Sequence, residues 1–246
     1  MKPDQDHFSP IASDYARGRF GYPETLYRFL AAHCREHHAA WDCATGSGQA
    51  ARGLVERFSH VTATDISQEL LARAPRHPRI VYRAAPAEAS GLEPDSVDLG
   101  TVAQAVHWFD LPRFWTEVLR VLKPGGILAF WGYNWPVADP RVDRVLEAFR
   151  ETIVSAWPER SAILHEGYRS VRPPLDEIAC PALEATAHWD VADYLAHLRS
   201  WSAVRYHREK TGEDPVQTFT PAFVAAWPGS RIIVRWPLVL KAFRNT

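Results

Sequence analysis

The chain has 246 residues, 46% of them hydrophobic and 23% charged, and a formal net charge of -1. That supports a sizeable core and excludes a broad basic field of the kind that holds nucleic acid or an anionic membrane surface. Three scattered cysteines (Cys34, Cys43, Cys180) make neither a disulfide frame nor a cysteine-rich metal site, and no apolar run approaches the roughly 18 residues of a membrane span. The first residues, Met1 to His7, are polar and lack a signal-peptide core, so a cytoplasmic protein is expected.

Residues 7–22 read as a leader with turns. Pro23 suits a helix start, and Leu26, Phe29, Leu30 and Cys34 recur beyond it at helical spacing. His33 and His37 stand at i, i+4, a spacing that can bind zinc, but no third ligand is in view. Histidines near a helix end have a commoner use against its dipole, and no metal is expected. Ala39-Ala40-Trp41 is a short strand that ends in Asp42. Two glycines follow, Gly46 and Gly48, and then Ala50, Leu54, Val55 and Phe58 form the apolar stripe of a helix. His60 to Asp65 is a second strand, β-branched and again ending in an acid. A short helix spans 67–74, and further strands are expected at 79–83, 96–102 and 127–131. Asp110 can cap a helix carrying Phe114, Trp115, Val118, Leu119 and Leu122, which Lys123-Pro124-Gly125-Gly126 stops. Strands alternating with helices imply a parallel sheet covered on both faces.

The second half has a different texture. An amphipathic helix is expected over 140–157, an irregular stretch rich in Pro and Arg over 158–182, and an alternating strand over 183–189. A helix over 191–201, another over 219–227 and a long strand over 231–243 complete the chain. Pro237 favours an edge position or a bulge for that strand. Seven of the ten tryptophans lie from Trp131 onward, a density that core packing explains by default and that also suits the wall of a pocket.

Glycine tolerates positive φ and has no Cβ, so the loop over 42–48 lets a ligand approach the backbone closely. Gly46-x-Gly48-x-x-Ala51, with Asp65 downstream, matches the dinucleotide fingerprint and allows an NAD-linked oxidoreductase. Against it stands Asp42, which would repel a pyrophosphate and suits a cationic ligand. A helix-bearing leader also precedes the first strand.

The chain resembles the class I S-adenosylmethionine-dependent methyltransferases. The matching parts run in order: Asp42 to Gly48, Asp65, Ala85-Pro86-Ala87-Glu88, Asp95-Ser96-Val97-Asp98 and Leu122-Lys123-Pro124-Gly125-Gly126. It is closest in pattern to a small-molecule subgroup that includes trans-aconitate methyltransferases. The parts that carry this are Tyr15-x-x-x-Arg19-x-x-Tyr22-Pro23, Ala103-Gln104-Ala105-Val106-His107-Trp108-Phe109 and Trp201-Ser202-Ala203. The resemblance implies an α/β fold: a doubly wound, mostly parallel seven-stranded sheet whose last strand is antiparallel, with a helical cap from the C-terminal half. It implies a single domain, with leader and first helix in 1–38, a cofactor-binding core in 39–133, cap and sixth strand in 134–230 and the final strand in 231–246.

S-adenosyl-L-methionine is the implied cofactor. Asp42 would serve its ammonium, directly or through water, and Ala44, Gly46 and Gly48 would let the loop approach the nucleoside. Asp65 would accept from both ribose hydroxyls, with Ile66 beside it. Ala87 and Glu88 would meet adenine, while Gln104, His107 and Trp108 flank the methionine and the methyl. Tyr15 and Arg19 would close over the cofactor and meet its carboxylate. Three positions depart from the family pattern. Ala44 replaces a usual glycine, which is tolerable if its φ is negative. Pro86 stands where many relatives carry an acid, and Phe20 where the subgroup has proline.

The partner expected is a small-molecule methyl acceptor, through a carboxylate or hydroxyl oxygen, taken by a monomer or homodimer. No Asn/Asp-Pro-Pro-Tyr/Phe tetrapeptide follows the fourth strand, which argues against a nucleobase or amide nitrogen. Trp135, Tyr168, Arg169, Trp201 and Arg205 are expected to contact substrate, and Arg169 or Arg205 would suit an anionic acid. His107, Tyr168 and His188 are candidate catalytic groups, and the sequence singles out no base among them. A non-catalytic S-adenosylmethionine-binding protein is a further alternative.

Overall fold

A computed structural model of the protein describes residues 21–157 and 159–246. The strands are β1 (Ala39–Cys43), β2 (His60–Asp65), β3 (Ile80–Ala84), β4 (Val97–Ala103), β5 (Leu122–Tyr133), β6 (Asp176–Ile178), β7 (Leu183–Trp189) and β8 (Ile232–Arg244). They form one sheet in the order β3-β2-β1-β4-β5-β8-β6, with β7 also paired to β8. The first five are parallel to one another, and β8 runs antiparallel to β5, β6 and β7. β6 pairs with Ala242–Arg244 and β7 with Ile232–Leu238, on the flank of β8 that β5 leaves open. Eight strands thus fill the seven places of a doubly wound sheet with one antiparallel member.

The helices are α1 (Glu24–His33), α2 (Gln49–Leu54), α3 (Gln68–Arg73), α4 (Leu111–Val121), α5 (Pro140–Ile153), α6 (Ala162–His165), α7 (Val191–Arg199), α8 (Ser202–Thr211) and α9 (Pro215–Ala226). Asp110, Asp139, Asp190 and Asp214 cap α4, α5, α7 and α9 with their carboxylates. The central strands are buried along almost their whole length because helices cover both faces. Successive residues of β5 feed opposite cores. Trp131 joins Leu26, Leu54, Phe149 and Phe223 on one side, and Phe130 joins Trp41, Phe114 and Phe243 on the other. Among the described residues no helix is long and apolar enough to cross a membrane.

Several boundaries differ from the sequence reading. Lys123-Pro124-Gly125-Gly126 does not separate α4 from β5 but opens the strand, with Gly125 at φ 81° and its N–H bonded to the Asn245 carbonyl at 2.6 Å. The helix expected over 191–201 ends at Arg199, and α8 is a second, unexpected helix. α9 starts at Pro215 and runs through Pro221. β8 is an interior strand rather than an edge. Its Pro237 carbonyl accepts from the Asn134 N–H at 2.8 Å, one residue past the end of β5, so the missing proline N–H falls where that ladder has run out. His33 and His37 bond to the carbonyls of Phe29 and Ala31 respectively, each at 2.8 Å.

Candidate active site

Chain reversal between β1 and β4 opens a crevice at the carboxyl ends of the strands, where open α/β sheets bind ligands. The loop after β1 supplies its floor. Ala44, Gly46 and Gly48 all have positive φ, at 55°, 57° and 82°. A Cβ on Gly48 would stand 2.4 Å from the Tyr82 hydroxyl, so a side chain there would have to displace the Tyr82 ring as well as take up a conformation that favours glycine. Ala44 adopts the same left-handed region with a methyl in place, so the negative φ that would have made it easily tolerated is not the one it has, and such strain is characteristic of functional loops.

Asp42 lies wholly buried beneath this loop. One of its oxygens accepts from the Thr45 hydroxyl at 2.5 Å and the Ala51 N–H at 3.0 Å, and the other from the Thr101 hydroxyl at 3.0 Å. Burial pushes its pKa up to about 6, against the pull of those three hydrogen bonds, and the nearby Asp65 adds to the rise. Asp65, at the end of β2, accepts from the Gly46 and Ser67 N–H groups, each at 2.8 Å. Two acids therefore brace the loop from either side. Ile66 follows as a large apolar side chain left 38% exposed at the same rim.

The opposite wall is built by the segment after β4. Gln104 is again a left-handed non-glycine, at φ 61°, anchored by its N–H to the Trp131 carbonyl at 2.8 Å. A short 3-10 turn, Val106–Trp108, then presents His107 and Trp108. These three side chains line a cavity of about 140 Å³ with Tyr133, Trp135, Trp157, His197, Trp201 and Trp236, together with Asn134 and the serines 161, 200 and 202. Trp201 donates through Nε1 to Nε2 of His197 at 3.2 Å, so that imidazole acts as acceptor on this nitrogen. A wider recess lies across the 3-10 turn, bounded by Glu88, Asp110, Arg113 and Arg160. There Glu88 accepts the Asp110 N–H at 2.9 Å, and Arg160 donates to the Trp108 carbonyl at 3.1 Å.

Known proteins match this arrangement. Residues 41–130 fit the model of a methyltransferase domain. A protein of Dictyostelium discoideum named as a methyltransferase is 32% identical over 203 residues, which cover 80% of this chain and 77% of that one. This chain belongs to the class I S-adenosylmethionine-dependent methyltransferases. A structure described as a type II methyltransferase from Anaeromyxobacter dehalogenans is 42% identical, with a TM-score of 0.86 over 92% of this chain and 98% of the other. A Bacillus halodurans structure at 18% identity and a TM-score of 0.52 shares the fold alone. The methyltransferase thus takes S-adenosylmethionine as its cofactor.

Within the methyltransferase the expected site residues separate into groups. Tyr15 and Arg19 lie outside the described residues. Asp42, Ala44, Gly46, Gly48, Asp65 and Ile66 cluster at the ends of β1 and β2, Ala87 is buried and Glu88 half-buried after β3, and Gln104, His107 and Trp108 follow β4. Trp135 and Trp201 face the cavity. Arg169 is exposed and does not line it, nor does Arg205, whose guanidinium sits 4.5 Å from the Tyr206 ring. His188 is exposed on β7, where its carbonyl accepts from Arg231. Tyr168 is fully buried against Phe130. Its hydroxyl has no partner among the described residues and lies 2.7 Å from where a Cβ on Gly132 would stand, with the Gln104 amide oxygen 3.1 Å from the same point. Burial raises the Tyr168 pKa, so the phenol stays protonated. Trp157, His197 and Trp236 were not anticipated. The i, i+4 spacing of His197 and Trp201 on a helical stretch was the one signal available for any of them.

Proposed function

We propose that this methyltransferase acts on a small-molecule acceptor held in the cavity between Gln104, His107 and Trp108 and the tryptophans of the second half, in the cytoplasm. The observation that carries this is a cavity of ring-molecule size opening beside the residues after β4. When bound, S-adenosylmethionine supplies an electrophilic methyl on a sulfonium. The loop fits such a cation: Asp42 is buried with two hydroxyls and one N–H as its donors, none of them cationic. In this reading Asp65 orients the ribose, Ile66 and Ala87 cover the adenine, Glu88 borders it, and Gln104 holds the methionine end. Of the two acceptor oxygens expected, the cavity favours a hydroxyl, because neither Arg169 nor Arg205 reaches it to hold a carboxylate. A hydroxyl acceptor needs a base. His107 is the one of the three candidate catalytic groups that lines the cavity.

Calorimetry with S-adenosylmethionine and with its demethylated product tests the reading. Both should bind, NAD(H) should not, and Asp65→Ala should weaken both by at least tenfold. Folded protein that binds neither would sink it, and an unchanged affinity in Asp65→Ala would remove the ribose role.

A further inference from the structure

The walls of the cavity discriminate among acceptors by charge. Three indole rings meet around it: Trp135 lies edge-on to Trp201 at 5.3 Å between centroids and to Trp157 at 5.9 Å, and Trp157 is tilted against Trp201 at 6.3 Å. Among the described residues the lining includes no carboxylate, ammonium or guanidinium. Its polar side-chain groups are amides, hydroxyls, imidazoles and indole N–H groups. A charged ligand placed here would lose its hydration without an opposite charge among the lining residues to bond, which is strongly unfavourable. Indoles can attract a cation through their π faces. Here, however, the Arg150 guanidinium already sits 4.0 Å from the Trp135 ring centroid, and its charge opposes a second cation on that ring. Size adds a second limit. An apolar cavity of about 150 Å³ takes up benzene, and this one measures about 140 Å³.

We infer that the acceptor is an uncharged molecule built on a single aromatic ring, presenting a phenol-type hydroxyl to the polar end of the cavity near Gln104 and His107. The inference rests on the methyltransferase reading, since it specifies the acceptor of that same site. The aliphatic tricarboxylate expected of a trans-aconitate-like enzyme is the opposite kind of molecule, flexible and anionic.

The test is titration calorimetry at pH 7 on the full chain saturated with S-adenosylhomocysteine, using three phenols of nearly equal size. These are p-cresol, which is neutral, 4-hydroxybenzoate, which is anionic, and 4-hydroxybenzylamine, which is cationic. p-Cresol should bind at least tenfold more tightly than either charged analogue. Trp201→Leu should weaken p-cresol at least tenfold, and Trp201→Phe, which keeps a ring, less than threefold. Binding of either charged analogue as tightly as p-cresol overturns the inference. So does binding of none of the three to a chain that holds S-adenosylhomocysteine, an outcome that leaves the cofactor reading standing. Failure to bind S-adenosylhomocysteine at all overturns both.

Discussion

The Asp42 carboxylate is fully enclosed and meets three donors, from Thr45, Ala51 and Thr101, which lie 3, 9 and 59 residues along the chain. Its folded pKa, pushed up to about 6, lies above the unfolded carboxylate value of about 3.9. The stabilisation from that preference for the proton is fully present below the unfolded value and is lost as pH rises through the folded one. Linkage then gives a loss of about 3 kcal/mol between about pH 4 and about pH 7. Asp42→Asn should fold and lack this slope. Thr101 can donate to the Trp41 carbonyl, 3.2 Å away, and accept from the new amide. Urea unfolding of both proteins across this range measures the difference, and parallel pH profiles would remove the argument. Ala44 gives a second test. Left-handed backbone costs a non-glycine residue roughly 1–2 kcal/mol, and glycine's extra freedom when unfolded returns part of that. Ala44→Gly should raise stability by roughly 0.5–1 kcal/mol in the same assay.

Elements were readable where periodicity was strong. β1 to β4, α4 and α5 appear within a few residues of expectation because their apolar positions recur cleanly. α8 was missed because it offers little pattern: in Ser202–Thr211 only Ala203 and Val204 are buried. β6 was missed because it is three residues long and buries none of them fully. α9 was expected to begin at 219, four residues late, and its Pro221 is an exposed proline inside the helix. An interior proline forfeits one helical hydrogen bond, here to the Gln217 carbonyl, and costs about 3 kcal/mol relative to alanine, of which its stiffness in the unfolded chain returns about 1. Pro221→Ala should therefore stabilise the protein by about 1–2 kcal/mol, because nothing packed is lost. A melting temperature higher by about 2–8 °C is the expected reading for a chain of this size. An unchanged or lower value would mean that the proline itself is needed where α9 packs on α5 and α7.

For the whole molecule, the order of motifs carried the family and the cofactor crevice, since each motif is local in sequence. The acceptor cavity was not legible in the same way. Its wall combines the ends of β4 and β5 with Trp157, with His197 and Trp201 from either side of the turn after α7, and with Trp236 on β8, and only the fold brings these together. The same closure ties the two halves energetically. β8 pairs with β5 over Leu238–Arg244, Arg244 donates to the carbonyls of His33 and Gly125, and the Asn245 amide bonds the carbonyls of Leu122 and Lys123. Cofactor binding at the front of β1, β2 and β4 should therefore stabilise the entire chain rather than the first half alone. At 100 times its dissociation constant, S-adenosylhomocysteine should add about 2.7 kcal/mol and raise a single melting transition by about 5–10 °C. Hydrogen exchange in the same samples should slow in the segments 44–48 and 104–108, and also in β8, which pairs with β5, β6 and β7 and not with the strands that carry the cofactor loops. Two separate transitions, with only one of them shifted by the ligand, would show that β8 does not bind the halves into one cooperative unit.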